Sequence, residues 1–186
     1  FDYFGTGDSL GDCEDWNVSR WVQDILDAAE ELKWKTGVEK VTIVSLRYGA
    51  LLAAAAVDKG LSVSRLIMWD PVISGDVYLS ELKKSQNERF DWRKSKFPFP
   101  SDKDLDLDSS EILGFKYRQD FQTTISETQL GGFSLENSEA VSVISSDKNE
   151  ECRIFVDSLK KNKSEVSYSH IEDDGDWYNF NKFDTA

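Results

Sequence analysis

The stretch from Val41 to Trp69 constrains the fold more than any other part of the chain. A short β-branched run, Val41 to Ser45, passes through Leu46-Arg47-Tyr48-Gly49 into the alanine-rich Ala50 to Val57, and a second apolar run, Ser64 to Trp69, ends at Asp70-Pro71. β-Branched residues suit a pleated surface and alanine suits a helix, so the order reads strand, helix, strand. Two strands joined through a helix lie parallel, with a right-handed crossover, and a parallel sheet needs helices packed on it. The class is therefore α/β.

Upstream, Val18, Trp21, Val22, Ile25, Leu26, Ala29 and Leu32 recur at helical spacing, with Asn17 placed to cap the start and Gly37 to stop the end. Downstream, Ala140 to Ser145 reads as a strand, Glu150 to Lys161 as a helix with Cys152, Phe155, Val156 and Leu159 inward, and Val166 to Ile171 as a last strand. Between Gly75 and about Leu130 the pattern loosens. Val77, Leu79 and Leu82 suggest one helix, Pro98, Pro100 and an acidic stretch follow, and Lys116 to Ile125 suggests another. This reads as an insertion above the sheet, covering about residues 75–130 and hinged at Val72-Ile73-Ser74-Gly75. Phe1 to Phe4 resembles the end of a strand and Asn181 to Ala186 the start of a helix, so residues 1–186 are expected to be most of one larger domain.

The chain has 186 residues, 39% of them hydrophobic, enough to bury a sizeable core. Its 22 basic and 35 acidic residues leave a net charge of −13, which argues against nucleic acid or an anionic membrane as partner. His170 is the single histidine, so a centre built on several imidazoles is excluded and a histidine base has one candidate. Cys13 and Cys152 lack metal-type spacing and read as buried thiols of a reduced, cytoplasmic protein. No apolar run approaches the roughly 20 residues of a membrane span. No metal or cofactor is expected.

The turn Ser45-Leu46-Arg47-Tyr48-Gly49 occupies the strand-to-helix position at which α/β-hydrolases carry the nucleophile elbow, G-x-S-x-G. Asp2-Tyr3-Phe4-Gly5-Thr6-Gly7-Asp8-Ser9 is similar to the D-x-x-G-x-G-x-S loop of many serine hydrolases of that superfamily, and Leu46-Arg47-Tyr48-Gly49-Ala50 matches an L-R-x-G-A turn of a subgroup that includes exosortase-associated hydrolases. Trp69-Asp70-Pro71-Val72, with Gly75 and Tyr78-Leu79, looks like the strand-to-lid segment of the same subgroup. The resemblance covers nearly the whole chain. It implies a three-layer α/β-hydrolase fold with a mostly parallel sheet and an inserted lid, its first strands and half of its oxyanion hole lying upstream of Phe1.

Carried over by residue, the resemblance puts the nucleophile at Arg47, the triad acid at Asp147 or alternatively Asp70, and the histidine in the loop Glu172 to Trp177, which contains none. Arginine stays protonated and is neither nucleophile nor base, although it binds carboxylates and phosphates bidentately. Arg47 then either receives an anion or closes on Asp70 or Asp147 as an ion pair. Asp147 either orients a histidine or caps the helix beginning near Lys148, and Asp70 before Pro71 also fits turn chemistry. His170 lies in the last strand, short of the family position, as a structural or edge residue. Ser45 should point into strand packing, and Tyr48 and Ser9 join Arg47 as candidate ligand contacts.

Asp102, Asp104, Asp106 and Asp108 alternate like a calcium loop, but Leu107 and Leu113 stand where glycine and a bidentate glutamate belong, so a solvated loop is the better reading. Glu172, Asp173, Asp174 and Asp176 read as an exposed turn. The rings of Phe90, Trp92, Phe97, Phe99, Phe115, Tyr117 and Phe121 either shape a lid pocket or close the insertion as a satellite core. The expected function is that of a catalytically impaired hydrolase homologue binding an acyl, peptide or carboxylate ligand, or a protein partner, beneath its lid. The alternatives are an active serine-type hydrolase of esters, thioesters or peptides, and an interaction protein of an exopolysaccharide or envelope system.

Overall fold

The structure, a computed structural model, describes residues 1–96, 110–147 and 149–172. Four parallel strands form the sheet in the order β1 (Val41–Leu46), β2 (Val63–Trp69), β5 (Ser138–Ser145), β6 (Val166–His170). Three helices accompany the crossovers: α1 (Val18–Thr36) precedes β1, α2 (Gly49–Asp58) joins β1 to β2, and α5 (Glu150–Asn162) joins β5 to β6. The insertion between β2 and β5 contains α3 (Gly75–Lys96), a two-residue hairpin of β3 (Glu111–Ile112) and β4 (Phe115–Lys116), and α4 (Gln119–Glu127).

Helix α2 explains the middle of the fold. Ala50, Ala53, Ala54 and Ala56 are at most 1% exposed, and the small side chains let α2 lie between β1 and β2 on one side and α1 on the other. A helix apolar on all faces belongs in such a position. Trp21, Val22, Ile25 and Ala29 are the buried stripe that α1 offers to it. Asn17 caps α1, accepting from the Arg20 N–H at 3.1 Å, and Gly37 ends it at φ 74°, its N–H donating to the Lys33 carbonyl at 2.8 Å. Both ends follow from the sequence.

Several expectations are corrected. Residues 1–4 form no strand. They enter a loop pinned by two indoles, Trp16 Nε1 donating to the Gly5 carbonyl at 2.7 Å and Trp21 Nε1 to the Phe4 carbonyl at 2.9 Å. Lys116 belongs to β4 and the second insertion helix starts at Gln119, because the Leu113-Gly114 turn at φ 55° and 88° lets Phe115 and Lys116 pair with Ile112 and Glu111 first. Asp147 does not cap α5. Asn149 does, accepting from the Cys152 N–H at 3.1 Å.

Three of the insertion's rings, those of Phe115, Tyr117 and Phe121, gather into an aromatic cluster that joins the main core. Trp16 sits at the cluster's centre, with ring centroids 5.7 Å from Trp21, 5.5 Å from Phe115, 5.3 Å from Tyr117 and 5.8 Å from Phe121. Each such pair contributes about 0.5–1.5 kcal/mol beyond its area. The two ends of the insertion are tied to each other: the Gly75 N–H donates to the Thr128 carbonyl and the Leu130 N–H to the Ile73 carbonyl, both at 2.9 Å, with Ser74 bridged to Gln129 between them. The stretch expected to act as a hinge is bonded in this way to the far end of the insertion. Phe97, Phe99, the 102–108 acidic run and the Asp173 to Trp177 turn lie outside the described residues.

Candidate functional site

The parallel strands end on one edge of the sheet, and the chain turns there into α2, α3 and α5. Loops beyond the carboxyl ends of such strands are where an open α/β sheet holds its site. Arg47 follows β1 directly at φ 48°, a left-handed conformation that a non-glycine residue rarely takes. Its N–H donates to the Trp69 carbonyl at 3.0 Å, and its own carbonyl accepts from Ala50 and Val72 at 3.1 and 3.3 Å. The turn is strained and held from three sides. It is a tight strand-to-helix turn with a guanidinium at its apex.

The Arg47 side chain turns towards the insertion. Nη2 pairs with Glu81 Oε2 of α3 at 3.0 Å and Nη1 donates to the Asp70 carbonyl at 3.4 Å. Sequence reasoning offered the Asp70 or Asp147 carboxylate for this ion pair, and Glu81 takes it because α3 runs over the elbow. Three residues before Glu81, Tyr78 stacks on Tyr48 with centroids 5.2 Å apart and planes 18° from parallel. The same helical face therefore delivers both contacts. Tyr48 is buried, and burial pushes its phenol up to about 12, against the opposing influence of the Thr128 side chain.

Asp70 follows β2 at φ 42° and is buried. Its Oδ1 accepts from the Ser146 N–H at 2.5 Å and its Oδ2 from Ser146 Oγ at 2.6 Å, so the carboxylate joins the ends of β2 and β5. Such charge-assisted bonds are short and strong. The pair was invisible in the sequence, because 76 residues separate its members. Ser146 is only 4% exposed. Asp147 is exposed, and Ser145 Oγ donates to its carbonyl at 2.7 Å and to its Oδ1 at 3.4 Å. A cleft of about 20 Å³, room for one water molecule, lies between Arg47, Asp70, Ser145 and Asp147, with Cys152 in its wall. Burial, followed by the nearby Asp147 and Asp70, pushes the Cys152 thiol up to about 11, so it is not a thiolate nucleophile at neutral pH.

The remaining candidates sit elsewhere. His170 ends β6 as an exposed edge residue, its Nδ1 3.0 Å from the Ser145 carbonyl, and no carboxylate among the described residues holds it. Ser45 Oγ is buried and donates to the Ile67 carbonyl at 2.8 Å, inside the strand packing as expected. Ser9 lies in the glycine turn before α1 and is not part of the cleft wall. Among the described residues, Asp70, Asp147 and the elbow converge, while no hydroxyl or thiol meets a histidine. No cluster of histidine, cysteine and carboxylate among them could hold a metal ion.

The chain superposes on an α/β hydrolase from Sphaerobacter thermophilus with a TM-score of 0.54 at 17% identity, covering 93% of this chain and 73% of that one. The fold is that of the α/β-hydrolases. Est1E from Butyrivibrio proteoclasticus, solved with ferulic acid bound, gives a TM-score of 0.56 at 16% identity, and the esterase Pf2001 from Pyrococcus furiosus gives 0.60 at 15%. Both are covered over 92% of this chain, which spans 65% and 59% of their lengths. No family model and no curated protein sequence matches the chain. No helix among the described residues is long and apolar enough to cross a membrane.

Proposed function

We propose that this hydrolase-fold chain does not hydrolyse through a serine triad and instead binds a carboxylate-bearing acyl or peptide ligand at Arg47. The observation that carries the reading is the elbow itself: Arg47 at φ 48°, its Nη2 already on a carboxylate, that of Glu81. Glu81 is half-exposed and sits on a separate helix, so it serves as a tethered stand-in that a ligand carboxylate displaces. With Glu81 in place the cleft takes one water, and ligand entry requires α3 to yield. The family resemblance supports the insertion's role as a lid over this position.

The test has two arms. Titration with hexanoate, followed by NMR, should show saturable binding that Arg47→Ala abolishes and that Glu81→Gln tightens by removing the competing carboxylate. Binding unaffected by Arg47→Ala refutes the site. A fluorophosphonate probe should leave the protein unlabelled, with Arg47→Ser as the comparison that puts a hydroxyl at the elbow. Labelling of the unsubstituted chain overturns the loss of triad chemistry.

A second reading, ester hydrolysis, draws on the esterase neighbours and on Ser146, whose Oγ lies 2.6 Å from a carboxylate. Labelling abolished by Ser146→Ala would establish it.

A further inference from the structure

The charges gathered around Arg47 do not suit a ligand whose only charge is a carboxylate. Arg47, Asp70 and Asp147 line the cleft at the strand ends, and Glu81 reaches the guanidinium from α3. One cation thus stands with three carboxylates. Glu150 and Glu151 follow in the first turn of α5, directly after the cleft's Asn149. Asp70 is buried, and its charge is spread over two short bonds from Ser146. Asp147 is different. It is exposed, and its Oδ1 meets Ser145 Oγ at only 3.4 Å. The negative balance reaches the cleft wall, where Asp147 and Asp70 add to burial in holding the Cys152 thiol above its ordinary range.

A carboxylate that displaces Glu81 from Arg47 leaves the Glu81 side chain tethered nearby and brings one more negative group to the site. Arg47 offsets only one of them. Like charges a few ångströms apart repel, and the repulsion grows where water is partly excluded. A ligand that also carries a cation replaces this repulsion with an ion pair. Asp147 is placed to receive the cation, because it shares with Arg47 the wall of a cleft that takes one water molecule. The positive and negative sites of the protein therefore lie close together, and a short ligand with both charges can span them.

We infer that the ligand of this site is a zwitterion, an amino acid or short peptide whose carboxylate takes Arg47 and whose ammonium takes Asp147. The inference rests on Arg47 as the carboxylate receptor and chooses between the two ligand classes proposed for it, against the acyl carboxylate. An exposed ion pair contributes up to about 1 kcal/mol, which corresponds to about fivefold in affinity.

NMR titration of the full chain with four probes tests it: hexanoate, 2-aminohexanoate, and the N-acetyl and N-glycyl derivatives of the latter. Two comparisons isolate the ammonium, 2-aminohexanoate against hexanoate and the glycyl against the acetyl compound. At least one amine-bearing probe should bind about fivefold tighter than its counterpart. A gain in the first comparison identifies an amino acid and a gain in the second a peptide. Asp147→Asn, an exposed substitution that keeps the shape of the side chain, should bring the gain to within about twofold of unity, and Arg47→Ala should abolish binding of every probe. Amine-bearing probes no tighter than their counterparts, or a preference untouched by Asp147→Asn, overturn the zwitterion while hexanoate binding that still needs Arg47 leaves the carboxylate site standing. Binding of all four probes that is indifferent to Arg47→Ala overturns both.

Discussion

Gly75→Ala is expected to separate the insertion from the sheet domain. A Cβ at Gly75 would lie 1.8 Å from the Ile125 carbonyl oxygen, 2.8 Å from the Ile125 carbonyl carbon and 3.2 Å from the Thr128 oxygen. All three are backbone atoms, so no side-chain rotation relieves the overlap, and α4 must shift away from α3 by more than an ångström. That shift breaks the Gly75 N–H to Thr128 bond, worth about 1 kcal/mol, and disturbs the packing of Leu79, Leu82 and Ile125 by a further ~1–3 kcal/mol. The total of about 2–4 kcal/mol corresponds to a fall in Tm of roughly 4–16 °C for a chain of this size. Thermal unfolding followed by circular dichroism measures it, and near-ultraviolet signals from Tyr48, Tyr78 and the Trp16 cluster should change along with it. Gly49→Ala is the control. It meets no atom within 4 Å and lies in a helix, so it should be neutral or stabilising by up to about 1 kcal/mol. A Gly75→Ala protein melting within about 2 °C of its parent, less than 1 kcal/mol of change, would refute the close-approach argument.

Asp70→Ala should destabilise by about 3–5 kcal/mol in urea unfolding, since it strips Ser146 of two charge-assisted partners, while Asp70→Asn should lose only about 1–2 kcal/mol by keeping an acceptor and tolerating φ 42°. Equal costs would mean the Ser146 bonds do not matter. Stability should also decline in alkali. Tyr48 and Cys152 keep their protons to about 12 and about 11 in the folded chain, above their ordinary 10.0 and 9.0, so the unfolded chain releases protons first. Their contribution is complete below about pH 9 and is lost as pH rises through the folded values, at up to 1.36 kcal/mol per pH unit for each group. A urea midpoint unchanged between about pH 8 and about pH 10.5 would contradict this. Asn149→Ala should cost about 1 kcal/mol through the α5 cap, whereas Asp147→Ala should leave helix stability unchanged.

What was legible in the sequence was whatever local periodicity and chain order dictate. Val41 to Trp69 could form only a parallel crossover, Asn17 and Gly37 carry their own capping chemistry, and Ser45 had to alternate into the sheet. Arg47 at the elbow was readable for the same reason, since turn position follows from the flanking strand and helix. Its partner was not. Glu81 reaches the guanidinium only because α3 crosses the elbow, clasped there by Gly75 and Thr128, and nothing within 34 residues of sequence announces that approach. Asp70 and Ser146 were likewise each readable as turn residues, and only the pairing of β2 with β5 made them one buried bond. Phe115, Tyr117 and Phe121 were compatible with a pocket or a core until Trp16, from far upstream, stood at their centre. Short-range physics is written residue by residue, and so the sequence determined the elements and the arginine at the elbow. Which charge meets which across the strand ends depends on loop closure over tens of residues, and only the tertiary structure decided it.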